Sequence, residues 1–217
     1  MSLILDLIFP KNCLNCGQKS KQYFCKSCLE KQQINSLYHH PEIKNPHYQA
    51  SLSIFKYNFL IRQLITQLKY DFVTDLINPL TAISTSAIKE NFPTLLKYWQ
   101  DNNFHLLSIP LHFYRQNWRG FNQSYLLAES LAKRLKLKFS PHILSRSKNT
   151  SIQSHLKNRQ LKNKNLKNAF VLNQDKIPQN VIIFDDVATT FSTLKSALKT
   201  LSISDDLNHC YFLTLAA

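Results

Sequence analysis

Glycine and acidic residues are scarce in this 217-residue chain. The only two glycines are Gly17 and Gly120, so each is expected where the backbone needs a conformation that side chains disfavour. The 13 acidic residues are outnumbered by 27 lysines and arginines, which leaves a formal net charge of +14. That imbalance favours an anionic partner such as nucleic acid, a phosphorylated metabolite or an acidic lipid. The alternative is a generally basic composition without a functional cause.

The sequence also lacks a convincing export or membrane-spanning segment. The opening MSLILDLIFP is apolar, but it is short, contains Asp6 and has no basic leading region. We therefore expect a docking helix at this end and a cytoplasmic protein, with peripheral contact at the inner membrane as the alternative. In that compartment the five cysteines are not expected to form disulfides.

Acidic residues are absent from one long segment, residues 130–174. This segment predicts an electropositive surface or a mobile loop over an anion site, with a plain solvated face as the alternative. Its cations are Lys133, Arg134, Lys136, Lys138, Arg146, Lys148, Lys157, Arg159, Lys162, Lys164 and Lys167.

Four of the cysteines form two C-x-x-C pairs close together in the chain. Cys13 and Cys16 make the first pair, and Cys25 and Cys28 make the second. Each pair can offer two thiolates to one tetrahedral ion, which predicts a zinc site. A redox dithiol would explain one pair but not two. Four thiolates leave no open coordination position, so the zinc is expected to be structural. Gly17 follows the first pair, where the chain must turn under the metal.

Apolar periodicity predicts an α/β fold. Strands are expected at 48–57, 104–110, 181–184 and 209–216, and helices at 58–70, 75–90, 124–135 and 192–201. Strands that alternate with helices form a mainly parallel sheet with helices on both faces. Ligands of such sheets bind beyond the carboxyl ends of the strands. Cys210 falls in the last strand and is expected to be a core residue.

Asp185 and Asp186 directly follow the apolar strand VIIF, where a ligand would lie. The next helix should begin shortly afterwards, and its free N–H groups and positive dipole end attract phosphate. The carboxylates would accept hydrogen bonds from vicinal hydroxyls or help to hold a hydrated Mg²⁺. A ribose that carries a phosphate fits these groups. The hydroxyls that can donate to its phosphate oxygens belong to Thr189, Thr190, Ser192 and Thr193.

The acidic pair has two other interpretations. An aspartyl-nucleophile phosphatase needs a second carboxylate two residues after the first, and Val187 stands at that position. The other alternative is purely structural, with the aspartates capping a turn and a threonine capping the next helix.

The segment VIIFDDVATTFST resembles the phosphoribosyl pyrophosphate (PRPP) loop of type I phosphoribosyltransferases. Together with other segments, this loop resembles the ComF family of competence proteins over nearly the whole chain and in the right order. The segments are CLNCG and CKSC, FKYNFLIRQLITQLKY, SIPLHFYRQNWRGFNQSYLLAESLA, SRSKNTSIQSHLKNRQLKNKNLKNAF and the final loop. The resemblance implies a zinc ribbon at residues 1–45 and a phosphoribosyltransferase-like domain at 46–217. It also implies that Asp185 and Asp186 engage ribose hydroxyls, while the four loop hydroxyls cradle the 5′-phosphate.

Further residues take roles by this resemblance. Arg115, Arg119 and Gly120 are similar to the pyrophosphate-side loop, since guanidinium groups suit bidentate phosphate binding and glycine allows close backbone approach. The residues that correspond by order to the mobile hood over PRPP are Arg146, Lys148, Gln153 and Arg159. One position departs from the family: Phe191 replaces a glycine of the loop. If that position needs a positive φ, phenylalanine costs about 1–3 kcal/mol, and its ring could crowd the pocket.

Two functions follow as expectations. The first is a competence protein that supports DNA uptake in natural transformation, binds PRPP with Mg²⁺ and transfers its phosphoribosyl group. The second is a non-catalytic module that binds single-stranded DNA or couples to the competence helicase or other uptake components, with a regulatory or vestigial PRPP pocket. The DNA-binding cations would then include Lys157, Lys162, Lys164 and Lys167.

Overall fold

The central feature of the fold is a six-stranded, mainly parallel sheet with the strand order β1-β2-β8-β7-β3-β4. The computed structural model describes residues 12–13, 16–20, 25, 27–28, 37–38, 42–70, 74–111, 120–146 and 169–217. Only the β1–β2 pair in this sheet is antiparallel. A separate hairpin pairs β5 with β6. The strands are β1 Leu37–Tyr38, β2 Tyr48–Phe55, β3 His105–Ser108, β4 Lys138–Phe139, β5 Leu144–Arg146, β6 Phe170–Leu172, β7 Asn180–Val187 and β8 His209–Ala216.

Five α-helices connect these strands within the described residues. They are α1 Phe59–Tyr70, α2 Ile77–Asn91, α3 Pro93–Asp101, α4 Gln123–Leu135 and α5 Ser192–Leu201, and a short 3₁₀ turn, Thr74–Leu76, precedes α2. Local chemistry explains the start of α4, because the Asn122 side chain accepts hydrogen bonds from the N–H groups of Ser124 and Tyr125. The helix ends at Lys136, which adopts the left-handed conformation with φ 55°.

The central strand β7 is buried on both faces, which explains its unbroken apolar run. Ile182 and Phe184 lie in one core cluster with the apolar faces of α1, α2, α3 and α4. Val181 and Ile183 lie in a second cluster with α5 and the β5–β6 hairpin. The predicted fold class is therefore confirmed: a mainly parallel sheet with helices on both faces.

Some elements differ from the sequence expectation. The strand predicted at 181–184 extends to Val187, because Asp185 and Val187 keep their parallel pairing with β8. Helix α3, which was not predicted, begins with a proline in its first turn and buries Leu96 and Trp99. The domain boundary at residue 45 stays a prediction, although β1 lies before it and pairs with β2.

Candidate functional site

The acidic pair lies at the carboxyl end of β7, next to the first turn of α4. Asp186 shares a strand face with Ile182 and Phe184 and is buried, with 4% exposure. Asp185 is half-buried. Residues from two helices reach the pair, namely Lys69 at the end of α1 and Ser124 at the start of α4.

The two carboxylates share one partner and differ in another. The Ser124 hydroxyl donates to Asp185 Oδ1 at 3.0 Å, and the N–H of Asp186 donates to the same oxygen at 2.9 Å. Ser124 also lies 3.5 Å from Asp186 Oδ1, and Asp186 forms an ion pair through Oδ2 with the ammonium of Lys69. Both carboxylates thus contact the Ser124 hydroxyl, while the Lys69 ammonium pairs with Asp186.

These partners drive the two pKa values apart. Burial and the adjacent charge of Asp186 raise the pKa of Asp185 to about 7. Burial also acts to raise the pKa of Asp186, but the charge and hydrogen bonding of Lys69 outweigh it and lower this pKa. At neutral pH the pair therefore holds one firmly ionised carboxylate and one that exchanges its proton near neutrality.

The turn after β7 forms a pocket of about 50 Å³ that brings several predicted site residues together. Thr190 and Ser192 lie within hydrogen-bond distance, with their hydroxyl oxygens 2.9 Å apart. The threonine cap of the purely structural alternative is absent from α5, because Phe191 occupies the N-cap position and no side chain caps it. The predicted residues that line this pocket are Asp185, Thr189, Thr190, Ser192 and Thr193.

Phe191 adopts the positive φ that the resemblance implies for this position. Its φ is 55° and its ψ is 8°, in the left-handed region that glycine favours. Only 6% of the residue is exposed, and its ring stacks on Phe212 in the second core cluster. The ring is therefore packed into the core, and Phe191 is also one of the residues that line the loop pocket.

A second, larger cavity of about 490 Å³ lies between the end of β3, the start of α4 and the β5–β6 hairpin. Arg146, the first predicted hood residue, lines it, and its guanidinium stands 5.4 Å from the centroid of the Phe170 ring. Asn122 lines the same cavity. Arg146 therefore shares a cavity with the residue that caps α4, and it is not among the described residues that line the loop pocket.

Gly120 has a φ of +75°, which supplies the reason for glycine before α4. A Cβ added there would meet nothing within 4 Å, so close packing against the protein does not require glycine.

Most of the residues predicted for the pyrophosphate-side loop, the hood and DNA binding lie outside the described residues. The residues concerned are Arg115, Arg119, Lys148, Gln153, Lys157, Arg159, Lys162, Lys164 and Lys167.

The four N-terminal cysteines converge, as the two C-x-x-C pairs predict. The four Sγ atoms of Cys13, Cys16, Cys25 and Cys28 all lie within 4.8 Å of one another. A tetrahedral zinc ion with Zn–S bonds of about 2.3 Å needs sulfur atoms about 3.8 Å apart, so the cluster fits such an ion. Gly17 has a φ of 72°, and its N–H donates to the carbonyl of Cys13 in the turn under the cluster.

Sequence reasoning missed Lys69 and Ser124 as members of the site. Both occur in segments that carry the family resemblance, FKYNFLIRQLITQLKY and GFNQSYLLAESLA, but neither has a local signal of function. Lys69 looks like an ordinary cation in the last turn of a helix.

Cys210 is fully buried, as expected for a core residue. Among the described residues, no helix combines the length and the hydropathy needed to cross a bilayer.

The chain is similar to competence and DNA utilization proteins. Competence protein ComFC of Bacillus subtilis (strain 168) is 28% identical over 201 residues, which cover 88% of this chain and 78% of that protein. DNA utilization protein YhgH of Escherichia coli (strain K12) is 28% identical over 152 residues. Those residues are 70% of this chain and 65% of YhgH, so the chain spans less than two thirds of that relative. Competence protein F of Haemophilus influenzae (strain ATCC 51907 / DSM 11121 / KW20 / Rd) is 33% identical over 98 residues, 44% of this chain and 43% of that protein.

No protein-family model matches the chain. A solved hypoxanthine phosphoribosyltransferase from Staphylococcus aureus aligns over 60% of each chain, with 18% identity and a TM-score of 0.36. The relatives named for competence and DNA utilization match this chain over 44% to 88% of its length, and ComFC has the longest of these matches. The similarity to these relatives supports a competence protein of the ComF family.

Proposed function

We propose that this protein binds PRPP with Mg²⁺ at the carboxyl end of β7 and serves DNA uptake. The observation that carries the proposal is the loop pocket, which gathers the ligand-facing carboxylate of Asp185 and four hydroxyl-bearing residues around one turn. The carboxylate of Asp185, which can accept hydrogen bonds from ribose hydroxyls, thus lies beside hydroxyls that can donate to a phosphate. The competence relatives support the cellular role.

The start of α5 supports phosphate binding in this pocket. Because Phe191 occupies the N-cap without a capping side chain, the first N–H groups of the helix can point toward an anion. Ser192 and Thr193 are half-buried at this helix start and add hydroxyl donors. The 5′-phosphate would lie here, and the ribose hydroxyls would donate to Asp185.

Transfer of the phosphoribosyl group would depend on electrostatic support for the leaving pyrophosphate. Mg²⁺ would bind with the substrate and neutralise part of its charge. Arg115, Arg119 and Gly120 form the proposed pyrophosphate-side loop. The proposed hood over the substrate contains Arg146, Lys148, Gln153 and Arg159, and its closure would exclude water.

We also propose that the cysteine cluster holds structural zinc. The zinc ribbon would comprise residues 1–45, and the phosphoribosyltransferase-like domain would comprise residues 46–217.

Calorimetric titration of PRPP with Mg²⁺ into zinc-loaded protein tests this function. Wild type should show saturable binding, and Asp185→Asn should weaken it about tenfold or more, because a site built to accept hydroxyl donors loses an acceptor. Asp101→Asn, which removes an exposed charge at the end of α3, is the matched control and should bind as wild type. Absence of binding by wild type, or equal binding by Asp185→Asn, would overturn the proposal.

Single-stranded DNA binding is the second candidate function, and the outer face of α1 favours it. Phe59 is 72% exposed and Tyr70 is 52% exposed, and both lie on one helix face, about 16 Å apart. Exposed Arg62 lies between them on that face, and exposed Tyr57 precedes the helix. No acidic residue occurs between Glu42 and the end of α1. Exposed aromatic rings with interspersed cations form stacking platforms for single strands.

Fluorescence anisotropy with an oligothymidine strand tests the second function. Binding should weaken steeply as salt rises, and joint neutralisation of Lys157, Arg159, Lys162 and Lys164 should abolish it. Phe59→Ala should weaken binding about tenfold through lost stacking. Ile203→Ala is the matched control, since Ile203 is a similarly exposed apolar side chain with 75% exposure. Salt-insensitive binding, or equal losses in both variants, would count against this function.

A further inference from the structure

Lys69 is a cation placed inside the acidic site. Its ammonium pairs with Asp186 Oδ2, and the two side chains are 22% and 5% exposed. A carboxylate so little exposed requires a partner, because burial strongly disfavours an unpaired charge. Lys69 supplies that partner from α1, on the strand face where Asp186 lies.

The fold brings Lys69 to this point through the course of α1. The chain leaves β2 at the carboxyl edge of the parallel sheet and enters α1 at Phe59. Ten residues later Lys69 contacts Asp186, which lies at the same edge on β7. Helix α1 therefore starts beyond the end of β2, and its last turn reaches the acidic pair.

The two carboxylates also differ in what they present to a ligand. Asp185 lines the loop pocket with the phosphate-binding hydroxyls, whereas Asp186 is not among the described residues that line it. Asp185 Oδ1 is oriented by Ser124 and by the backbone of Asp186. The position of Asp186 in β7 thus affects the orientation of Asp185.

We propose that Lys69 is a positioning residue of the acidic pair: its ion pair with Asp186 fixes that carboxylate against α1 and leaves Asp185 as the carboxylate that contacts the ligand. This inference rests on the proposed binding of PRPP. The family resemblance assigns Asp185 and Asp186 the same role, whereas this inference gives each of them a different one.

The charge of Lys69 has a second consequence for an anionic ligand. Two adjacent carboxylates would repel the phosphates of PRPP if both charges were uncompensated. Lys69 offsets one of them from inside the protein, where solvent screens the interaction less than at the surface. Affinity for the ligand should therefore fall when the ammonium is removed, even if the fold is retained.

A double-mutant cycle on PRPP binding tests the inference in the zinc-loaded full chain with Mg²⁺. The variants are Lys69→Met, Lys69→Arg, Asp186→Asn and the double variant Lys69→Met/Asp186→Asn. Lys69→Met should bind about tenfold more weakly or worse, because it leaves a buried carboxylate unpaired. Lys69→Arg should keep most of the affinity. Lys89→Met removes one exposed charge from α2 and should bind as wild type.

The double variant separates positioning from direct contact. If Lys69 acts through Asp186, the neutral pair should recover most of the affinity that Lys69→Met loses. The double variant has no unpaired buried charge, because both positions are neutral. It can therefore still be measured if Lys69→Met fails to fold. A double variant that binds no better than Lys69→Met would overturn the inference, and so would a Lys69→Met variant that binds as wild type. Absence of binding by wild type would overturn the proposed function and this inference together.

Discussion

The rings of Phe191 and Phe212 are stacked, with their centroids 6.3 Å apart and their planes 14° apart. Phe212 lies fully buried in β8, and Phe191 is the N-cap residue of α5, with a φ of 55°. The loop therefore keeps a glycine-like backbone at a residue that is anchored in the core by its side chain. Backbone strain and ring burial oppose each other at this one position.

Substitution of Phe191 should reveal both contributions. Phe191→Ala should destabilise the protein by about 3–5 kcal/mol through the loss of buried ring contacts. Phe191→Gly should be more stable than Phe191→Ala by about 1 kcal/mol, because glycine adopts the left-handed conformation without strain. Chemical denaturation of the zinc-loaded variants measures both values.

The matched control for this pair of substitutions is Phe55 in β2, which is 2% exposed in an extended strand. There the order should reverse, with Phe55→Gly less stable than Phe55→Ala, because glycine has the larger conformational entropy to lose. If alanine is also the more stable substitution at residue 191, the left-handed conformation of Phe191 is not present in solution.

Lys136 offers a second test of left-handed backbone that does not involve the site. It is exposed after α4 with a φ of 55°, so Lys136→Gly should stabilise the protein by about 0.5–1 kcal/mol. The same change at Lys133, within the last turn of α4, should cost about 1 kcal/mol. Thermal unfolding of the two variants compares these effects, and shifts of the same sign would contradict the account of the helix end.

The acidic pair predicts a specific dependence of stability on pH. The pKa of Asp185 is raised to about 7 in the folded state, so the folded protein holds a proton that the unfolded chain has lost from about pH 4 upward. The contribution of Asp185 to stability should therefore fall as pH rises through 7. Asp186, whose pKa is lowered, titrates below this window.

Comparison with Asp185→Asn isolates that effect, because asparagine does not titrate. Urea denaturation should show the variant gaining stability relative to wild type between pH 5 and pH 8. Asp101→Asn, at an exposed position at the end of α3, serves as the control for loss of one carboxylate. A difference between wild type and Asp185→Asn that stays constant across this range would contradict the raised pKa.

The position of the cysteine cluster predicts that metal binding contributes to the stability of the hydrophobic core. Cys13 and Cys28 are 2% and 6% exposed and belong to the larger core cluster, together with residues of α1 and β2. Cys16→Ser should lose the bound zinc and lower the unfolding temperature of the whole protein. Cys210→Ala should retain one zinc per chain by elemental analysis, because Cys210 lies in β8 outside the cluster. Equal zinc content in the two variants would contradict the assignment.

The long elements of the fold were predictable because each has a strong apolar period. The helix predicted at 192–201 has the bounds of α5, and the strand predicted at 209–216 has those of β8. Helix α3 was missed because only Leu96 and Trp99 of its nine residues are buried. Strands β4, β5 and β6 have two or three residues each, too few for an alternating pattern.

The site was predictable only where its residues are neighbours in sequence. Asp185 and the loop hydroxyls follow one strand, so their shared pocket could be expected from the chain alone. Lys69 and Ser124 reach the acidic pair from other helices, through contacts that depend on tertiary packing. The burial of the Phe191 ring likewise required the position of Phe212 in a neighbouring strand.

The central claim is that the turn after β7 holds the 5′-phosphate of PRPP. The most direct measurement is ³¹P NMR of PRPP with Mg²⁺, titrated with wild type and with Thr193→Val. We expect wild type to shift and broaden the 5′-phosphate signal, and the variant to do so much less. Perturbation of the pyrophosphate signals alone, equal for both proteins, would contradict the account, because the ligand would then bind through cations outside this loop.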